Sequence, residues 1–370
     1  MTANQPALDW NAPLDADRAD GAPRPWRARR RIRVAIACIV VALVAAAALG
    51  LWGATHTRGL YPAPVGGRYG YVDRHGRMVI PARFSDALGF SQGLAEVGLE
   101  EGAGFVDPRG TVVIRTHYTL AGGFSEGLAL VGTGAPGDSC GYGFIDARGV
   151  VAIPVQFRWA SSFSEGLAAA AAKAQWGYIG TSGAWIIQPQ FQWADSFSEG
   201  RALVWKTDLY GFIDETGRWI VPPELDDGGR FAEERAPVKL GGKWGYIDPN
   251  GGLQIPLQYD DARPFSGGLA AVEVGGAWGF IDISGAWVIE PRFERAFDFS
   301  EGLAAVQVGP PALFGYIDAK GTLVVDARFT DAEAFDRGLA LVGLGGGDWG
   351  CIDKAGRLVW ESTAKAAPQP

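Results

Sequence analysis

An all-β array of short antiparallel repeats behind a single N-terminal membrane-spanning helix is the fold class that this 370-residue sequence predicts. Three observations carry it. A five-residue motif of aromatic, Gly, aromatic, aliphatic and Asp recurs along the chain. A second motif, mostly FSEGLA, follows it at a constant offset. Glycine (54 residues) and tryptophan (14 residues) are both abundant, against an average glycine usage of about 7 per cent. Glycine and aromatics rising together imply many tight turns between short packed strands, not disorder.

The chain opens on a tail, residues 1–33, with seven Arg and four Asp, a net of +3. The net charge of −8 therefore leaves −11 on the rest. Residues 34–52 (VAIACIVVALVAAAALGLW) are 19 residues without a charge, about the length that crosses a hydrocarbon core near 30 Å thick. Arg24, Arg27, Arg29, Arg30, Arg31 and Arg33 precede them. The positive-inside rule then holds the tail in the cytoplasm and sends the rest outward, as a single-pass protein with an extracytoplasmic body. A cleavable signal peptide ending in the small residues Ala45–Ala48 is the alternative, and it keeps the body outside. Cys38 has too little apolar chain before it for a lipoprotein signal. A linker, residues 53–59, leads to the repeat body, residues 60–361, and a short tail, 362–370, ends the chain.

In the body, the glycines of the first motif fall at 70, 104, 143, 177, 211, 245, 279, 315 and 350, spaced by 34, 39, 34, 34, 34, 34, 36 and 35 residues. The phenylalanines of the second motif (Phe90, Phe124, Phe163, Phe197, Phe231, Phe265, Phe299 and Phe335) each lie 20 residues after one of the first eight glycines. Every insertion thus falls between FSEGLA and the next aromatic-Gly pair, the behaviour of a packed repeat with one tolerant turn.

Each unit reads as three strands. Strand A is the WGYID segment. An Asp-x-x-Gly turn follows, as in Asp146 to Gly149, where Asp accepts a backbone N–H and Gly takes a positive φ. Strand B is the WIIQPQF type of run, whose proline marks an end or an edge. The FSEG turn then leads to strand C, LAAV or LALV, and a Gly-rich link returns to the next strand A. Leu60 to Gly67 aligns with a strand C and its link, while Trp349 to Trp360 supplies only strands A and B. Eight full units therefore carry half-units at both ends. In an open twisted solenoid, the favoured arrangement, these would be caps; in a closed propeller-like ring, the alternative, they would complete a ninth blade.

These motifs resemble the WG-repeat family, named for the Trp-Gly pair that opens each unit, over roughly residues 60–361. Departures are local: Gly180 for the turn Asp, Cys351 for a strand A aromatic, and Glu234 for the FSEG glycine. The resemblance implies an interaction module and brings no catalytic residue with it.

The residues themselves point away from catalysis. The turn carboxylates (Asp73, Asp107, Asp146, Asp214, Asp248, Asp282, Asp318 and Asp353) occupy identical positions, whereas acid–base pairs need unlike environments. Glu126, Glu165, Glu199 and Glu301 of FSEG are read the same way, as turn-ordering groups. No G-x-S-x-G elbow occurs. The three histidines and three cysteines form no zinc or disulfide pattern, so no cofactor and no metal is expected. The acidic body argues against nucleic acid.

Trp185, Trp219 and Trp287 stand where other units have Met, Val or Leu, and are expected in the core. Trp159 and Trp193 stand where other units have Asp86, Asp261, Arg295 and Asp331, so they are expected to face solvent. Gln156, Arg158, Gln190 and Gln192 flank them. Exposed aromatics with a polar rim suit a protein or a cell-envelope glycan. Trp159, Trp193, Arg158 and Gln192 are the predicted binding residues. The predicted function is a membrane-anchored, extracytoplasmic binding or scaffolding module without catalysis. An extracytoplasmic carbohydrate hydrolase built on non-repeated residues is the alternative, as is the reading in which both tryptophans lie flat over a neighbouring unit.

Overall fold

The computed structural model describes residues 59–133 and 141–362. The predicted tail, the anchor, the C-terminal tail beyond Ser362 and the insertion bearing Cys140 lie outside the described residues. Among those described, no helix is long and apolar enough to cross a membrane.

The body is a closed ring of nine small antiparallel sheets, a β-propeller. Blade 1 spans 60–84, blade 2 95–115, blade 3 120–157, blade 4 159–191 and blade 5 193–225. Blade 6 spans 227–259, blade 7 261–293, blade 8 295–329 and blade 9 331–361. Seven sheets have four strands, not three. The extra strand is short, two residues in most blades (Trp159–Ala160, Trp193–Ala194), and pairs with strand C. The order in the sheet is short strand, C, A, B.

Each blade joins strand C of one sequence unit to strands A and B of the next. Loop length decides this. The C-to-A link and the Asp-x-x-Gly turn are tight hairpins, whereas the path from B to C is longer and steps to the neighbouring blade. In the Asp turn, the carboxylate accepts backbone N–H groups two and four residues on, as in Asp146 with Arg148 and Val150 at 2.9 Å each. The turn glycines have φ between +73° and +86°. Arg148 adds an ion pair to Asp146 at 2.7 Å, and its hydrogen bond is the main reason the Asp146 carboxyl lies below its usual range.

The Trp-Gly pair has a steric cause. Strand A advances two residues, Trp176 to Tyr178, while strand B advances four, Phe191 back to Ile187. Strand B is therefore bulged there, and prolines such as Pro154, Pro189, Pro256 and Pro291 sit within the bulge, a permitted place for proline on an edge strand. The bulge lays strand B backbone directly over the strand A glycine. A Cβ on Gly143, Gly279 or Gly315 would stand 2.6 Å from a strand B carbonyl oxygen. Only glycine admits that approach.

The blades are joined by repeated devices. FSEG serines donate to the next blade's phenylalanine carbonyl, for example Ser164 to Phe197 at 2.8 Å and Ser198 to Phe231 at 2.7 Å. FSEG glutamates accept N–H groups from the next turn, as Glu165 does from Glu199 and Gly200 at 2.7 Å each. These glutamates order the neighbouring blade's turn, not their own. Tyr178 and Tyr246 hydroxyls donate across blades to the Asp195 and Arg263 carbonyls at 2.7 and 2.8 Å.

Other bonds and a shared core join blade 9 to the first blades, which overturns the open solenoid. Arg337 Nη2 donates to the Phe90 carbonyl at 3.1 Å, and the Tyr61 hydroxyl donates to the Arg337 carbonyl at 2.6 Å. Tyr61, Ala63 and Val72 share one core with Leu339, Cys351 and Trp360. No strand is exchanged: the terminal half-units are the ends of two complete blades, and the ring is shut by side-chain packing.

One core position is charged. Glu96, on strand C of blade 2, is 6% exposed, and burial, with the Asp86 carboxylate adding to it, pushes its carboxyl up to about 7. In the unfolded chain a glutamate titrates near 4.5. The stability this group confers is thus full below about 4.5 and is lost as pH rises through 7. Glu96→Gln keeps the shape and removes the charge. It is expected to leave the melting temperature nearly unchanged at pH 4.5 and to stabilise by about 1–3 kcal/mol at pH 8, measured by thermal melts at both pH values.

Candidate functional site

Trp159 and Trp193 hold equivalent places, each the first residue of the short strand in consecutive blades 4 and 5, opposite Ala171 and Trp205 of strand C. They are 40% and 36% exposed, and Arg158 and Gln192 beside them are exposed. The strand alternation explains this. Ala160 and Ala194, the next residues, turn inward and Ala194 is buried.

The four predicted residues do not converge on one hollow. Gln192 and Trp193 line an open cleft of about 340 Å³ together with Asp195, Leu203, Trp205, Tyr210, Asp227 and Gly228. Trp205 stacks on Tyr210 (centroids 6.2 Å, planes 20° apart), and Trp193 meets the same ring edge-on at 6.4 Å and 75°. Gln192 is held by Asp208, donating to its carboxylate and accepting its N–H, both at 3.2 Å. Trp159 instead stacks on Tyr142 of blade 3 at 5.7 Å and 27°, and neither it nor Arg158 lines that cleft.

Trp205 is legible by the logic that singles out Trp193. At its place on strand C, other blades carry Gly98, Ala171, Lys239, Glu273 and Gln307, so packing asks for no ring there. Tyr210 is hidden because it is a marker aromatic like any other.

Trp185, Trp219 and Trp287 are not in the core. Trp219 is 37% exposed and the other two are half-buried. Each stands edge-on against a strand B aromatic of the preceding blade: Phe157, Phe191 and Tyr259 at 5.5–5.9 Å. The buried strand B position lies two residues further on, at Ile187, Val221 and Ile289.

Among the described residues no group of His, Cys, Asp or Glu is placed to hold a metal ion. Cys351 is a free, buried thiol pushed up to about 12 by burial. Glu96 lines neither the Trp193 cleft nor the larger cleft between blades 1 and 2.

Eight tandem matches to the WG containing repeat family cover residues 69–101, 104–134, 142–171, 176–208, 210–244, 244–276, 278–309 and 314–347. The chain belongs to that family. Curated proteins yield no match. Among solved structures it is similar to BamB from Moraxella catarrhalis, at 14% identity and a TM-score of 0.41, over 71% of this chain and 92% of that one. PorZ, a surface component of the type-IX secretion system of Porphyromonas gingivalis, is similar at 10% identity and a TM-score of 0.34, over 84% of this chain. The likeness spans about half of PorZ, 52%.

Proposed function

We propose that this WG-repeat propeller is a non-catalytic binding module that takes a glycan chain on the aromatic surface of blades 4 to 6. The observation that carries it is the cleft of Trp193, Trp205 and Tyr210 rimmed by Gln192, Asp195 and Asp227. Flat rings offer their faces to the C–H surface of a sugar, while amide and carboxylate groups at the rim accept and donate to hydroxyls. Trp159 on Tyr142 extends the aromatic surface one blade further. The places of Trp159, Trp193 and Trp205 hold charged, polar or small residues in most other blades, so packing alone does not explain these three rings.

Replacing Trp159 and Trp193 together by Ala is expected to weaken glycan capture by about 2 kcal/mol or more and to shift the melting temperature little, because no core is emptied. Binding of the full chain to a cell-envelope glycan panel measures it. A large loss of stability with binding intact would show that the rings only pack between blades. A protein ligand at the same cleft is the second reading, and competition between a bound protein and glycan separates the two.

The proposed setting is extracytoplasmic, with the 34–52 segment as a retained anchor and 1–33 in the cytoplasm; the uncharged run and the six preceding arginines support it. A periplasmic-active reporter fused after Pro370 is expected to be active, with the N-terminal residues still present by mass spectrometry. An inactive reporter reverses the orientation, and a mature terminus near Ala48 replaces the anchor by a signal peptide.

A further inference from the structure

We propose that the cleft between blades 1 and 2 is a second binding site, for a compact multivalent oxyanion carrying phosphate or carboxylate groups.

This cleft encloses about 780 Å³, the size of a small-molecule site, and four arginines line it: Arg68, Arg83, Arg109 and Arg115. It exists because the repeat is broken there. Ala103 stands where the other blades begin strand A with Trp, Tyr or Phe. Strand B of blade 2 is four residues long, Val112–Arg115, instead of the seven of Met78–Phe84. The missing ring and the shortened strand leave an opening there.

The arginines are not explained by the fold alone. Arg83 has a structural duty, donating to the Gly110 carbonyl at 2.5 Å, as Arg292 and Arg328 do to Gly321 and Gly356. Arg68 reaches only the Arg83 carbonyl, at 3.4 Å. Arg109 and Arg115 have no side-chain hydrogen bond or ion pair among the described residues. The contrast with Arg148 is direct. It occupies the same place in its Asp turn as Arg109 and folds back onto Asp146 at 2.7 Å, whereas Arg109 leaves the Asp107 side chain to backbone N–H groups and lines the cleft. Arg115 stands where other blades have Pro81, Pro154, Pro222 and Pro256. Glu100 and Glu101 also line the opening, yet among the described residues neither comes within ion-pair distance of an arginine.

Unpaired guanidinium groups around one hollow match the forked geometry of phosphate and carboxylate oxygens. The overall charge of −8 repels a long polyanion running beyond the cleft, so a small anion with several charges fits best.

The test is calorimetric titration of the full chain with inorganic triphosphate and, separately, with citrate. Binding of one or both is expected, with affinity falling as salt rises. Arg109→Ala with Arg115→Ala is expected to weaken it about 100-fold, about tenfold for each guanidinium removed from the anion. Arg148→Ala, at the equivalent turn, is expected to change nothing. Preference for triphosphate or for citrate identifies which oxyanion the site takes. The milder Arg115→Gln, expected to cost about tenfold, stands in if the double variant melts early. Absence of binding by both anions overturns the proposal, as does binding that the Arg109 and Arg115 changes leave intact.

Discussion

Tyr61→Ala is expected to destabilise the ring by about 3–5 kcal/mol, and Cys351→Tyr in the same chain is expected to restore most of it. Two departures at opposite ends of the repeat array are the cause. The second residue of strand C is Ala in blades 2 to 9 (Ala95, Ala129, Ala168, Ala202, Ala236, Ala270, Ala304 and Ala340), but Tyr61 in blade 1. The second aromatic of strand A is Tyr or Phe in blades 1 to 8 and Cys351 in blade 9. Both fall in the single core that joins blade 9 to blade 1. A large residue has replaced a small one in the same core where a small one has replaced a large. Tyr61→Ala alone empties that volume and removes the bond to Arg337. Cys351→Tyr alone overfills it. The pair together recreates the Ala and Tyr of an ordinary interface, as in Ala340 and Tyr316. Denaturant melts of the two single variants and the double variant give the coupling energy, expected at about 2 kcal/mol or more. Strictly additive costs would mean the two residues do not share a cavity.

That swap also shows what is legible in the sequence and what is not. Strand identity is plain, because the Asp turn, the FSEG turn and the aromatic-Gly pair each carry their own chemistry. The short fourth strand escapes a sequence reading because a two-residue strand has no hydrophobic period of its own; Trp193–Ala194 is defined by pairing to Trp205 and Val204. Closure escapes it because the contacts that shut the ring join residues far apart in sequence, Tyr61 and Arg337 being 276 apart, and no local pattern encodes them. The half-units read as caps or as parts of a shared blade because the motif names a unit beginning at strand A, whereas the sheet has strand C, and in most blades the short strand, before it. Exposure at Trp193 can be read from the charge tolerated at that place. Trp205 can be read the same way, whereas Tyr210, and the meeting of all three rings, needs the sheet register. The arginine cleft is invisible to a reading of net charge, since its four cations are diluted in an acidic chain.

The second large effect concerns the glycine that defines the repeat. Gly315→Ala is expected to cost about 3 kcal/mol or more, well beyond the change of about 1 kcal/mol usual for Gly and Ala at tolerant sites. The added methyl would meet the Val325 carbonyl oxygen at 2.6 Å, the Ala327 nitrogen at 2.8 Å and its Cα at 3.0 Å, all of them backbone. Nothing flexible can yield. Relief requires lifting strand B off strand A, which undoes the bulge and uncovers Val325 and Phe329, both in the core between blades 8 and 9. The φ of Gly315 is not in the left-handed region, so the cost is crowding and not backbone strain. Gly89 supplies the control: a Cβ there meets nothing within 4 Å and its φ is likewise unexceptional. Gly89→Ala is expected to be neutral or stabilising by about 0.5 kcal/mol, through the reduced freedom of the unfolded chain. Thermal melts of the two variants decide it. A fall of roughly 5–10 °C for Gly315→Ala against no fall for Gly89→Ala is expected for a domain of this size. Equal, small shifts would mean that strand B relaxes freely, and that the glycine of the Trp-Gly pair is kept for some reason other than the backbone lying on it.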